Sequence, residues 1–132
     1  MSNNRNHFNF NLEDRLERFS IKVIALCKSI NNKDYISMTI AKQLIRSATS
    51  IGANYMEANA SESKKDFLHK ISLCQKEARE SKYWLKLLLE SDLVHKERIK
   101  LLHQESHEFT LIFGKIIHTL KIQMKLNKKR KR

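Results

Sequence analysis

Apolar residues recur along most of the chain at alternating spacings of three and four, which is typical of helices that pack through one face. The first seam is Leu12, Leu16, Phe19, Val23, Leu26 and Ile30, and it predicts a helix over about residues 12–30. The polar segment NNKD at 31–34 predicts a turn. A second seam predicts a helix over about residues 35–58; its members are Ile36, Ile40, Leu44, Ala48, Ile51 and Tyr55.

Two further helices are predicted in the second half of the chain. Ser63, followed by Asp66, has the pattern of a helix N-cap and begins a helix that ends near Asp92. Its seam is Phe67, Ile71, Cys74, Ala78, Leu85 and Leu88. The last helix runs from about Lys96 to beyond Met124, with the seam Ile99, Leu102, Ser106, Phe109, Phe113, Ile116, Leu120 and Met124. Four long helices with short connections predict an all-α fold, an antiparallel up-down-up-down four-helix bundle.

Composition supports long helices with few turns. The chain has 132 residues, no proline and two glycines, which suits one domain. We expect a flexible N-terminal segment at 1–10, the bundle at 11–126 and a basic tail at 127–132. No apolar run is long enough to cross a membrane, and the N-terminus does not resemble a signal peptide. Cys27 and Cys74 have no metal-ligand spacing, so we expect a cytoplasmic protein with no metal or other cofactor.

Small side chains are concentrated around Gly52. A glycine inside a helix costs about 1 kcal/mol relative to alanine, so close approach of a neighbouring backbone is expected to offset it. Between Tyr35 and Met56 the only charged residues are Lys42 and Arg46, which predicts a helix covered on more than one side. A central helix of the monomer and a subunit interface both fit. The residues assigned to helix or subunit packing are Arg46, Ala48, Gly52, Asn54 and Glu57.

Glu57 lies in the last turn of the second helix, where a negative charge opposes the helix dipole. A compensating cation is therefore expected nearby. Arg46, Arg79 or a residue of another subunit are the candidates.

Three motifs together resemble a known family. They are QLIRSATSIGAN at 43–54 with Glu57 after it, SKKDF at 63–67 and EARESKYWL at 77–85. Over about residues 36–94 the chain resembles the four-helix-bundle family of the 23S rRNA intervening sequence protein. Where that family often has a helix-ending glycine, this chain reads MEAN at 56–59. We therefore expect Asn59 to adopt the left-handed conformation instead.

The resemblance implies an antiparallel four-helix bundle that forms ring-like homo-oligomers, typically pentamers. One branch of the family resembles accessory proteins of diversity-generating retroelements, which engage a reverse transcriptase and its RNA. No catalytic residue is established for the family, so the resemblance gives no reason to expect an enzyme.

Charge is the main indication of a partner. The net charge is +12, and residues 93–132 contain eleven Lys and Arg against three acids. On a helical wheel most of these cations fall on one face of the last helix, which could follow a phosphate backbone by charge and shape. The candidate nucleic-acid-binding residues are Lys96, Lys100, His103, His107, His118, Lys121, Lys125, Lys128, Lys129, Arg130, Lys131 and Arg132. The alternative is an ordinary solvated face on a purely protein-binding scaffold.

Two catalytic patterns overlap this face without meeting their usual requirements. His103 and His107 have an i, i+4 metal-ligand spacing, but the acid between them is not placed as in HExxH. Arg98 and His103 have the Arg-x4-His spacing of HEPN ribonucleases, yet they lie about 140° apart on the wheel. We therefore predict a non-enzymatic, RNA-binding homo-oligomer and retain a HEPN-like ribonuclease as a minor alternative.

Overall fold

The computed structural model describes the backbone of residues 4–92 and 94–131, with side chains from Leu12 onward in those ranges. It contains α1 at Asn4–Ser29, α2 at Tyr35–Asn59, α3 at Lys64–Ser91 and α4 at Lys96–Arg130. Each helix contacts the next one along the chain, and α1 also contacts α4, though more sparsely. Short turns between neighbouring helices make the arrangement antiparallel. The predicted up-down-up-down four-helix bundle is confirmed.

Helix ends differ from the predicted limits at both chain ends. Helix α1 begins at Asn4 rather than near Leu12, and α4 continues to Arg130 through most of the predicted basic tail. Neither segment contains a proline or glycine that would stop a helix. The expected flexibility of 1–10 and 127–132 stays a prediction, and residues 1–3 and Arg132 lie outside the described residues.

Polar side chains fix where the middle helices begin. The Asp34 carboxylate accepts hydrogen bonds from the Ser37 backbone N–H at 3.1 Å and from its hydroxyl at 2.8 Å. These bonds hold the pKa of Asp34 below its usual value. At the start of α3 the Ser63 hydroxyl accepts from the Asp66 N–H at 3.1 Å, which confirms the predicted cap.

The left-handed conformation predicted for Asn59 is wrong. Asn59 is the last residue of α2, and the chain leaves the helix through Ala60, whose φ is −96°. The Ala60 N–H donates to the Glu57 carbonyl at 3.2 Å, and the Ser61 N–H donates to the Ala58 carbonyl at 3.1 Å. This tightened last turn satisfies the end of the helix with ordinary backbone angles, so it needs no glycine.

The four seams meet in one hydrophobic core, which includes every member of the α1 seam. Phe19 of α1 packs edge-on against Phe109 of α4, with ring centroids 5.3 Å apart. Ile36 was placed in the α2 seam, and this was wrong because its side chain is 73% exposed. It lies in the first turn of α2, at the end of the bundle, where little of the neighbouring helices remains to cover it.

Part of the small-residue patch packs α2 against α3 inside the subunit. The Ser81 hydroxyl donates to the Ser47 hydroxyl at 2.8 Å, and both side chains are completely buried. The Cys74 thiol points at the Ile51 carbonyl, 3.6 Å away. Contacts this short between polar atoms of facing helices require small side chains on both helices. Ala48, another small residue of the patch, is also buried.

Gly52 has a different environment. It faces α1, and a β-carbon added there would lie 3.9 Å from the Leu16 Cβ, which is an ordinary contact distance. Within one subunit, therefore, α1 does not approach closely enough to require glycine. Asn54, on the same helix, donates from its amide to the Ser50 carbonyl at 2.9 Å. The subunit-interface interpretation of this part of α2 stays a prediction.

The cation beside Glu57 is Lys70, whose Nζ lies 2.6 Å from the Glu57 Oε2. Arg46 and Arg79 were therefore wrong as candidates within the subunit, because the last turn of α2 lies beside the first turns of α3, and a contact from another subunit stays a prediction. Arg46 is further along α2 and contacts Glu77 and Glu80 of α3. Its hydrogen bond to Glu80 holds the pKa of that carboxyl below its usual value.

Candidate nucleic-acid interface

The predicted cations of α4 lie on the surface. Lys96, Lys100, His107, His118, Lys121, Lys125, Lys128, Lys129, Arg130 and Lys131 are exposed, His103 is half-buried, and Arg132 is outside the described residues. From Lys96 to Lys131 the α-helical rise of 1.5 Å per residue makes this face about 50 Å long.

Two acids of α4, Glu105 and Glu108, lie on the opposite flank and contact α1. Arg15 lies 3.0 Å from the Glu105 carboxylate and 3.4 Å from that of Glu108. Its guanidinium also lies 5.2 Å from the centre of the Phe109 ring. The hydrogen bond to Glu105 raises the pKa of Arg15 above its already high value. The acids on this flank are thus compensated by α1, while the cations on the other flank face α3 or water.

Two lysines of α3, Lys82 and Lys86, lie beside the cationic face of α4, and the sequence analysis did not single them out. The Lys82 Nζ lies 3.0 Å from the His107 Nδ1, which can accept a hydrogen bond when the ring is neutral. Burial lowers the pKa of His103, and the positive charges of Lys82 and Lys86 lower it further. We call these four residues, Lys82, Lys86, His103 and His107, the basic cluster.

Carboxylates are scarce around the basic cluster. Lys86 contacts Glu90 of its own helix at 3.0 Å. Lys82 has no carboxylate within 4.0 Å among the described residues. Two lysines and two histidines therefore converge across the α3/α4 boundary, and among the described residues one of them, Lys86, is paired with a carboxylate. The antiparallel pairing of α3 with α4 was the signal that could have found Lys82 and Lys86 from sequence.

A second contact sets the register of these helices. The Gln75 side-chain amide lies over Gly114 and donates to the Thr110 carbonyl at 3.2 Å. Together with the Lys82–His107 contact, it places Lys64, the first residue of α3, level with Lys125 of α4. The last turn of α4, which carries Lys128 to Lys131, consequently projects beyond α3. The absence of a side chain at Gly114 gives Gln75 access to the backbone.

The catalytic patterns noted from sequence are separated in space. The Arg98 guanidinium donates to the Ser29 hydroxyl of α1 at 3.1 Å, whereas His103 lies near Lys82 and Lys86 of α3. The two side chains therefore do not meet in one site of the subunit. In the part of the chain that the structure describes, no group of three or more His, Cys, Asp or Glu side chains is arranged to hold a metal ion.

In the described ranges, no helix contains an apolar stretch that is long enough to span a bilayer.

Fold and surface together define a small all-α bundle with one face dominated by cations. A family model described as the 23S rRNA-intervening sequence protein matches residues 11–115. The chain belongs to this family, as its motifs had suggested.

A solved structure with the same fold supports this assignment. It is the crystal structure of a protein of unknown function from the S23 ribosomal protein family of Bacteroides thetaiotaomicron VPI-5482. The two chains are 33% identical with a TM-score of 0.71, over 80% of this chain and 96% of that one. No curated protein matches the chain significantly.

Proposed function

We propose that the face formed by α3 and α4 binds nucleic acid, RNA in the first instance, in a non-enzymatic homo-oligomer. The observation that carries this proposal is the basic cluster, in which Lys82 and His107 stand 3.0 Å apart with no carboxylate on Lys82 in the described structure. A phosphate oxygen can accept a hydrogen bond from the Lys82 ammonium group and neutralise its charge.

Recognition would depend on charge and shape. The α4 face presents lysines and histidines without Phe, Tyr or Trp between them, so it offers no platform for stacking bases. Lysine contacts phosphate as a point charge and carries no base information. The family description refers to an intervening sequence of 23S rRNA, which makes RNA the first ligand to test.

Salt-dependent binding tests this proposal. We expect Lys82→Glu to weaken binding of a fluorescein-labelled RNA similarly for all sequences, and to reduce the slope of log K against log salt by about 1. Fluorescence anisotropy at several salt concentrations measures both quantities. The matched control is Lys33→Glu, the same charge change in the exposed turn before α2. Equal losses in the two variants would mean that only net charge matters, and the assigned face would then be wrong.

Self-association is the second part of the proposal. Apolar side chains remain exposed on α1 and α2, among them Ile21 at 57%, Ile24 at 37% and Met56 at 63%. Near Ile24 the two helices enclose an apolar groove of about 380 Å³, also lined by Met38 and Ile45. Such a surface is expected to be covered by a partner. The family likeness makes a pentamer the first stoichiometry to test.

Light scattering during gel filtration measures the assembly. We expect a mass several times that of the monomer at micromolar concentration, and a smaller mass for Ile24→Asp. A control substitution, Leu111→Asp, changes an exposed leucine on α4. A wild-type protein that elutes with the monomer mass would contradict the proposal.

The remaining elements of the proposal are a cytoplasmic location, a reverse transcriptase as a possible protein partner, and the absence of catalysis. Purified protein is expected to leave RNA intact with and without divalent metal ions. RNA cleavage that disappears in His103→Ala would replace the binding function with the ribonuclease alternative.

A purely protein-binding scaffold is the second candidate function. It is favoured by the exposed apolar residues at the end of the bundle formed by the turns before α2 and α4. Tyr35 is 82% exposed, Ile36 73% and Val94 86%. RNA affinity below the level of unrelated basic proteins, with retained assembly, would favour this function over nucleic-acid binding.

A further inference from the structure

A cleft separates α1 from α4, the neighbouring helices that contact each other least. Its volume is about 610 Å³, within the usual range for sites that bind small molecules. The apolar wall that a ligand can reach is formed by Ala25 and Leu101, which are exposed, whereas Phe19 and Leu102 lie beneath it with side chains that are only 2% and 5% exposed. Leu101, at the rim, is 68% exposed.

Cations from both helices surround this apolar wall. Arg15 is compensated by Glu105 and Glu108, and Arg18 lies 2.7 Å from Asp14. Lys22 of α1 and Arg98 of α4 also line the cleft. Neither has a carboxylate within 4.0 Å in the portion described, and Arg98 donates only to the Ser29 hydroxyl. One part of the cleft is therefore electrically balanced, while Lys22 and Arg98 leave the other part positive.

We propose that this cleft binds a small organic anion with an apolar body. Its anionic group contacts Lys22 and Arg98, and its body covers Ala25 and Leu101. The compensated part of the cleft disfavours a polyanion, because the carboxylates of Glu105 and Glu108 would repel a second phosphate. A single negative charge attached to a hydrocarbon or aromatic group matches both the charge and the apolar wall. This site is separate from the α3/α4 face and does not depend on nucleic-acid binding.

Paired fluorescent probes test the proposal on the full-length protein. 8-Anilino-1-naphthalenesulfonate has an aromatic body and one negative charge, and N-phenyl-1-naphthylamine has a similar body with no charge. We expect the sulfonate to bind one site per chain. Lys22→Glu and Arg98→Glu should each weaken its binding roughly five- to tenfold, as expected when attraction to one charge is replaced by repulsion. The uncharged probe should bind more weakly and respond little to either variant.

A control variant and NMR locate the probe. Lys42 lines the apolar groove between α1 and α2, so Lys42→Glu makes the same charge change at the other groove and should leave sulfonate binding unchanged. The methyl resonances of Leu101 and Leu102 should shift on titration. Equal affinity for both probes, equal loss in all three variants, or shifts confined to Ile24 and Ile45 would each overturn the proposal. Circular dichroism melting of each variant checks that the bundle is intact.

Discussion

The two glycines of the chain should respond differently to the same substitution. Both lie inside helices, so Gly→Ala gives each an intrinsic gain of about 1 kcal/mol in helix propensity. At Gly52 the new methyl group would lie 3.9 Å from the Leu16 Cβ and make an ordinary contact. We therefore expect Gly52→Ala to increase the free energy of unfolding by nearly the whole amount.

At Gly114 the same methyl group would displace a hydrogen bond. It would lie 3.0 Å from the Gln75 Nε2, which donates to the Thr110 carbonyl. Losing that bond costs about 0.5–1.5 kcal/mol, comparable to the helix-propensity gain. The net change for Gly114→Ala should be near zero. In a Gln75→Ala background the obstacle is absent, so Gly114→Ala should recover the full gain of about 1 kcal/mol.

Urea unfolding followed by circular dichroism measures these differences, and it should be repeated at several protein concentrations because assembly would add concentration dependence. Equal effects of Gly114→Ala in the presence and absence of Gln75 would refute the assigned contact. A destabilising Gly52→Ala, accompanied by a smaller assembled mass, would instead place Gly52 in a contact between subunits that leaves no room for a methyl group.

Three further outcomes follow from the structure. Burial and nearby lysines lower the pKa of His103 in the folded protein, so as the pH falls the imidazole becomes protonated in the unfolded chain before it does in the folded one. The free energy of unfolding should therefore decrease as the pH drops below about 6.5. Urea unfolding at several pH values should show a smaller decrease for His103→Gln. Deleting residues 127–132 should weaken RNA binding similarly across sequences and leave the melting temperature nearly unchanged, because this end of α4 projects beyond α3; a large loss of stability would show that it docks on the bundle. Burial raises the pKa of Cys27 to about 11 and of Cys74 to about 12, so both thiols should react with Ellman's reagent at pH 8 only as the protein unfolds; rapid labelling of folded protein would contradict this burial.

The four-helix bundle could be predicted from sequence because the patterns that specify each helix involve residues close together in the chain. The three-four spacing from Leu12 to Ile30 and the cap at Ser63 each depend on neighbouring residues, and the structure confirms both. Errors occurred where the end of an element depends on its surroundings. Ile36 fits the apolar period, yet it lies beyond the cover of its neighbours, and Asn59 fits the position of a cap that the tightened turn makes unnecessary.

Only part of the candidate nucleic-acid interface could be predicted from the sequence. A helical wheel places the cations of α4 on one face because the period of a single helix determines that arrangement. The contribution of Lys82 and Lys86 depends on the register between two helices, which no single-helix pattern contains. The partner of Glu57 was missed for the same reason, because Lys70 and the candidate Arg79 both belong to α3 and only the register between α2 and α3 decides which of them is close.

The sparse contact between α1 and α4 has a consequence for the order in which parts of the molecule open. Helices α2 and α3 are adjacent along the chain and share the buried Ser47–Ser81 contact, so this hairpin can form with a short loop closure. Docking α1 against α4 joins Arg15 to Glu105, ninety residues away along the chain. In native-state hydrogen exchange, the amides of α1 should therefore exchange through a lower-energy opening than those in the middle of α2 and α3. The first helix would then act as a separate cooperative unit, able to detach while the rest of the bundle stays folded.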